Sequence, residues 1–181
     1  MTAALWMAPL LLMPLVGAPL LVRPAFRRFG AASSVALAGA AGAVLLSFVM
    51  TLYSLAGRRW SIFTVVVLAT LLGWALSHLP AFAAPGAPAA PPRPAVLARV
   101  AALVSAAAVA AAAAAAWLGS ATSPDLFFFW GTKAQEFALA GEIDAAYLQA
   151  PFHAFLHPYY PPLVTNLGAF AAMAIGRFSW G

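Results

Sequence analysis

AASSVALAGAAGAVLLSFVMTLYSLA, residues Ala31–Ala56, carries no charged side chain. A bilayer core needs about 20 consecutive apolar residues in a helix, and this run exceeds that. Its glycines, alanines and serines let neighbouring helices approach closely. Arginines bound it on both sides: Arg23, Arg27 and Arg28 before it, Arg58 and Arg59 after it. Upstream lies a second apolar run, Ala4–Val22, interrupted by Pro9, Pro14 and Pro19. It lacks the positive start of a signal peptide and its basic residues come afterwards, so it reads as a retained membrane helix. Downstream, Ser61–Leu79 is a third span, rich in Val and Leu. Pro80–Pro94 is too proline-dense for a helix. Val96–Leu118 supplies a fourth span, nearly all alanine in its second half and therefore expected inside the bundle. Pro162–Gly176 is a short fifth stretch, ended by Arg177.

The whole-chain composition agrees. Of the residues, 65% are hydrophobic and 7% charged, where soluble domains have about 25% charged. So few charges cannot cover a soluble surface, and lipid is the expected solvent. The fold class read from these runs is all-α, a polytopic transmembrane bundle of about five spans. Residues 1–118 form a four-helix region, 119–161 an extracytoplasmic loop with an amphipathic helix, and 162–181 a fifth, truncated span. The end at Gly181, without a polar tail, points to the N-terminal portion of a longer protein. The net charge of +5 comes from arginines between the runs, which suits loop anchoring and not nucleic-acid binding. There is no cysteine, so disulfide and thiol chemistry are excluded. With the acidic segment outside, Arg23, Arg27, Arg28, Arg93, Arg99 and Arg177 lie inside, against Arg58, Arg59 and Lys133 outside. Six against three favours an extracytoplasmic loop.

All four acids, Asp125, Glu136, Glu142 and Asp144, fall in one polar stretch, which carries whatever chemistry the chain has. Ser123 suits a helix N-cap, Pro124 the first helical position, Asp125 the first turn and Gly141 the stop. The spacing predicts a helix over Pro124–Ala140. Leu126, Phe127, Trp130, Ala134, Phe137 and Ala138 share one face; Asp125, Thr132, Lys133 and Glu136 share the other. Such a helix suits the membrane surface. Asp125, just past a span, serves either as a general base or divalent-metal ligand, or simply complements the helix dipole. Lys133 either neutralises a phosphate or pairs with Glu136. His157 binds phosphate or metal, or is a structural interfacial histidine. His153 and His157 lack the glutamate that a zinc-hydrolase helix places beside its first histidine. Trp130, Tyr159 and Tyr160 read as interface aromatics or sugar contacts. His78 reads as structural, and Glu142 and Asp144 as solvated loop charges. No cofactor is required; a divalent metal is the one candidate, and no metal ligand is assigned.

The order Ser123-Pro124-Asp125-Leu126-Phe127-Phe128-Phe129-Trp130-Gly131-Thr132-Lys133-Ala134, then Gly141, then His157-Pro158-Tyr159-Tyr160-Pro161-Pro162-Leu163 resembles the first large periplasmic loop of bacterial polytopic glycosyltransferases with the GT-C fold. These are relatives of protein mannosyltransferases and of lipid A and lipopolysaccharide-core glycosyltransferases. The resemblance covers about the last third of the chain. Tyr159 stands where related sequences often carry an acidic residue, and the helices before Asp125 would be an N-terminal addition. The resemblance implies inverting transfer of a sugar from a polyprenyl-phosphate carrier to an acceptor hydroxyl. It implies Asp125 as base, with Lys133 or His157 receiving the phosphate. The partners it implies are membrane lipid and the polyprenyl-linked sugar. The rival readings are a non-catalytic membrane scaffold or assembly subunit, and a transporter component, which needs ionisable residues inside its spans.

Overall fold

The computed structural model describes residues 4–21, 30–79, 126–156 and 162–177, and every described element is helical. Helix α1 is Ala4–Leu21, α2 is Ala31–Leu55 and α3 is Ile62–Ser77. A π-helical turn, Leu126–Trp130, runs directly into α4, Gly131–Ala140. A one-turn helix α5, Ala145–Gln149, a 3-10 turn over Pro151–Leu156, and α6, Leu163–Ile175, complete the order. The ends of α1, α2, α3 and α6 fall within two residues of the sequence reading. The Pro80–Pro94 loop and the expected span Val96–Leu118 lie outside the described residues.

The small residues of α2 do what their size permits. A Cβ on Gly42 would overlap the Met13 carbonyl of α1, and one on Gly17 would overlap the Ala38 carbonyl. The two backbones therefore meet directly, with α1 antiparallel to α2. Gly73 brings α3 into the same contact, where an added Cβ would lie 3.0 Å from Leu45 and 3.3 Å from the Val16 carbonyl. Around this seam the core collects Val16, Leu45, Leu46, Val49, Met50, Val65 and Ala69, joined by Phe137 of α4 and Phe170 of α6.

The outer faces are apolar as well. Leu11, Leu15, Val44, Phe48, Leu55, Phe63, Leu71 and Trp74 are exposed. A helix hydrophobic all round belongs in a protein core or a membrane, and α2 is half out of the core. Its 25 residues reach about 37 Å at 1.5 Å per residue. Among the described residues it is the one helix long and apolar enough to cross a membrane. The apolar segments Leu11–Leu21, Ile62–Ser77 and Leu163–Ile175 are shorter.

Buried polar groups tie the helices together. Asn166 of α6 is fully buried; the two N–H groups of its Nδ2 are shared among the Ser47 carbonyl, Ser47 Oγ and Thr51 Oγ1 of α2, each at 3.1 Å. Among the described residues its Oδ1 has no partner. Trp60 Nε1 donates to the Met50 carbonyl at 2.8 Å, and its backbone N–H donates to the Gly141 carbonyl. The Ile143 N–H donates to Ser54 Oγ at 2.8 Å. The end of α4 is thus stitched to the end of α2.

Candidate functional site

The site is built on the π-helical turn and α4. A π-helical turn closes i→i+5 bonds and often marks a functional position. Here it ends at Trp130, and α4 continues to Gly141, whose φ of 71° makes the left-handed stop that the sequence predicts. Of the predicted apolar face, Ala134 and Phe137 are buried, at 3% and 1% exposure. Phe137 meets Trp60 edge-on, with ring centroids 6.4 Å apart, and Ala134 packs against Gly168 of α6. Here α4 departs from the sequence reading. Its apolar face turns to protein, against α6 and Trp60 of the α2–α3 connection, and Phe137 joins the common core.

Lys133 departs with it. Placed on the polar face by the sequence, it is 3% exposed. On a helical wheel it stands only about 40° from Phe137 and 60° from Trp130, so burying those residues buries its stem. Its ammonium lies over the Trp130 ring, 4.6 Å from the centroid. Burial lowers its pKa from the ordinary lysine value of 10.5, since the charged form loses its water. A buried ammonium can stabilise an anion brought next to it.

A polar cluster joins α4 to α5. Asp144 is the N-cap of α5, accepting the Tyr147 N–H at 2.8 Å; it is a cap and not a solvated loop charge. His153 Nδ1–H donates to the Tyr147 carbonyl at 2.8 Å, and its ring stacks on the Tyr147 ring with centroids 4.1 Å apart. The Tyr147 phenol has its pKa raised above 10.0, first by burial and then by the Glu136 carboxylate and by Asp144; a hydrogen bond with the Thr132 hydroxyl works the other way. Glu136 and Thr132 of α4 therefore face Tyr147 of α5. His78, read as structural, closes α3 and stacks against Trp74 at 4.6 Å.

Asp125, His157, Tyr159 and Tyr160 lie outside the described residues. Of the sequence-predicted site residues, the structure brings Trp130 and Lys133 together. One face of the Trp130 ring is occupied by that ammonium. Among the described residues no three His, Asp or Glu side chains gather to hold a metal. The residues missed by sequence reasoning are Trp60, Asn166, Ser47 and Thr51, which hold the frame of the site. A lone Asn inside an apolar run was the signal available for one of them. A shallow hollow also opens between α4 and α6, lined by Gln135, Ala138, Leu139, Ala172, Met173, Gly176 and Arg177. Arg177, counted with the inner charges, thus stands beside the helix counted as outer.

No protein-family model, curated protein or solved structure matches this chain.

Proposed function

We propose that the chain is a membrane glycosyltransferase, or the N-terminal portion of one. It transfers a sugar from a polyprenyl-phosphate donor to an acceptor hydroxyl at the periplasmic face of a bacterial inner membrane. In this reading the hydrophobic runs form a bundle of about five spans, and the apolar outer faces of α1, α2 and α3 meet lipid.

The observation that carries the proposal is the buried Lys133 ammonium, held over Trp130 inside the segment that resembles the glycosyltransferase loop. A desolvated cation is strongest toward an anion when water is excluded. The donor's phosphodiester supplies that anion, and the charge on its leaving oxygen grows as the sugar departs. Asp125 takes the proton of the acceptor hydroxyl as that oxygen bonds to the anomeric carbon. The bond from the anomeric carbon to phosphate breaks, and polyprenyl phosphate leaves on Lys133, with His157 as a second candidate ligand. A divalent metal at the phosphate is compatible with this chemistry. The described parts of α1, α2, α3 and α6 contain no Asp, Glu, Lys, Arg or His, which weighs against a transporter.

The side of the loop is part of the proposal. With Arg177 beside α4, the charge margin falls from six against three to five against four. The experiment is reconstitution of the full-length gene product in liposomes with polyprenyl-phosphate-linked sugars, following release of polyprenyl phosphate. Turnover with at least one donor supports the proposal. Silence with every donor favours the scaffold reading.

A further inference from the structure

Lys133 is the only lysine of the chain, so its amine can be followed without interference from another side chain of its kind. Long helical side chains lean toward the N-terminus. The stem of Lys133 therefore runs back over the preceding turn and reaches the residue three positions earlier, Trp130. That residue closes the π-helical turn Leu126–Trp130, which sets the ring just where the helix regains its α spacing. The ammonium rests 4.6 Å from the ring centroid, in a place only 3% exposed. A desolvated ammonium over an indole face is held by the ring's quadrupole, more strongly than at an exposed site.

We propose that Trp130 is a positioning residue for Lys133: its indole face seats the buried ammonium and aims it, and that face is not a platform for a sugar. This rests on Lys133 being the phosphate ligand, but the seat itself is measured without any donor. The π-helical turn and the ring work together. A Trp one helical step earlier or later would stand about 100° away around the helix, off the side on which the ammonium lies.

The test is acylation of Lys133 by an amine-reactive ester in the liposome-reconstituted protein, read by peptide mass spectrometry over pH 7–10 as a chosen assay range. Only the uncharged, accessible amine reacts. Removing the ring either leaves the amine buried with less support for its charge, which raises its uncharged fraction, or frees it to water, where its pKa returns toward 10.5 while access rises. Rates are therefore compared at about pH 10, where roughly a quarter of a free lysine is uncharged and the gain in access outweighs that loss. In Trp130→Leu the rate should rise roughly tenfold, with Trp130→Phe in between because its quadrupole is weaker. A Leu variant that reacts at the wild-type rate overturns the proposal, as does a Phe variant indistinguishable from the Leu variant. If the Leu variant fails to fold, the Phe variant decides alone: a rise of about twofold or more supports the seat, and the wild-type rate sinks it. Failure of the transferase reading would appear as absent turnover with unchanged acylation behaviour, so the two outcomes are separable.

Discussion

Lys133 shows how a single residue's placement was half legible. Its type and neighbours suggested a phosphate ligand, but its side of the helix was read too simply. It sits at the edge of the polar arc, and the burial of Phe137 and Trp130 carries it inward. Its lowered pKa has a definite consequence for stability. Between the folded value and the unfolded 10.5, the unfolded chain binds more protons than the folded one. Stability therefore rises with pH across that interval. Below the folded value the penalty for burying the charge is present in full. Denaturant unfolding of wild type and Lys133→Met should show the wild type gaining on the variant as pH rises toward 10.5; parallel curves would mean the ammonium keeps its water. Affinity for an anionic donor should fall over the same interval, as the ammonium deprotonates.

Asn166 belongs to the same scale. Its three hydrogen bonds to α2 stand against an unpartnered Oδ1 that costs free energy when buried. Interhelical hydrogen bonds in membranes contribute about 0.6 kcal/mol on average and up to about 1.7. Asn166→Ala should therefore destabilise by about 1–2 kcal/mol, less than three bonds would suggest. A double-mutant cycle with Ser47→Ala should return a coupling near 0.5–1 kcal/mol; zero coupling would remove the clamp.

At the scale of elements, apolar run length and arginine boundaries placed α1, α2, α3 and α6 almost to the residue. This worked because the ends of an apolar helix are set by local composition. The packing of α4 was not legible in the same way. Its amphipathic period named Ala134 and Phe137 as the apolar face, yet nothing local says whether that face meets lipid or protein. Trp60 and Gly168 decide it, and they come from other parts of the chain. The glycines of α2 give a sharp contrast. Gly39 has open space where a Cβ would go, while Gly42 meets the Met13 backbone. Gly39→Ala should stabilise by up to about 1 kcal/mol through helix propensity. Gly42→Val should destabilise by about 3 kcal/mol, because backbone cannot yield as a side chain does. Comparable values for the two in detergent unfolding would contradict the α1–α2 seam.

At the scale of the whole molecule, two features must coexist: an apolar exterior suited to lipid, and a polar cap whose lysine is withdrawn from water. The cap is fixed to the bundle at the C-terminal end of α4 through Trp60 and Gly141, and along its length through Gly168 of α6. Trp60→Ala should loosen it, costing about 3–5 kcal/mol in stability and raising acylation of Lys133. Asp125, His157, Tyr159 and Tyr160 lie outside the described residues; their roles rest on the sequence and are tested through catalysis. The decisive measurement is release of polyprenyl phosphate from a polyprenyl-phosphate-linked sugar by the liposome-reconstituted protein, with wild type, Asp125→Asn and Lys133→Met compared at equal folded amounts. A membrane glycosyltransferase requires wild-type turnover that falls by about a hundredfold or more in each variant. Equal turnover in all three would remove both residues from the chemistry, and no turnover with any donor would contradict the glycosyltransferase reading itself.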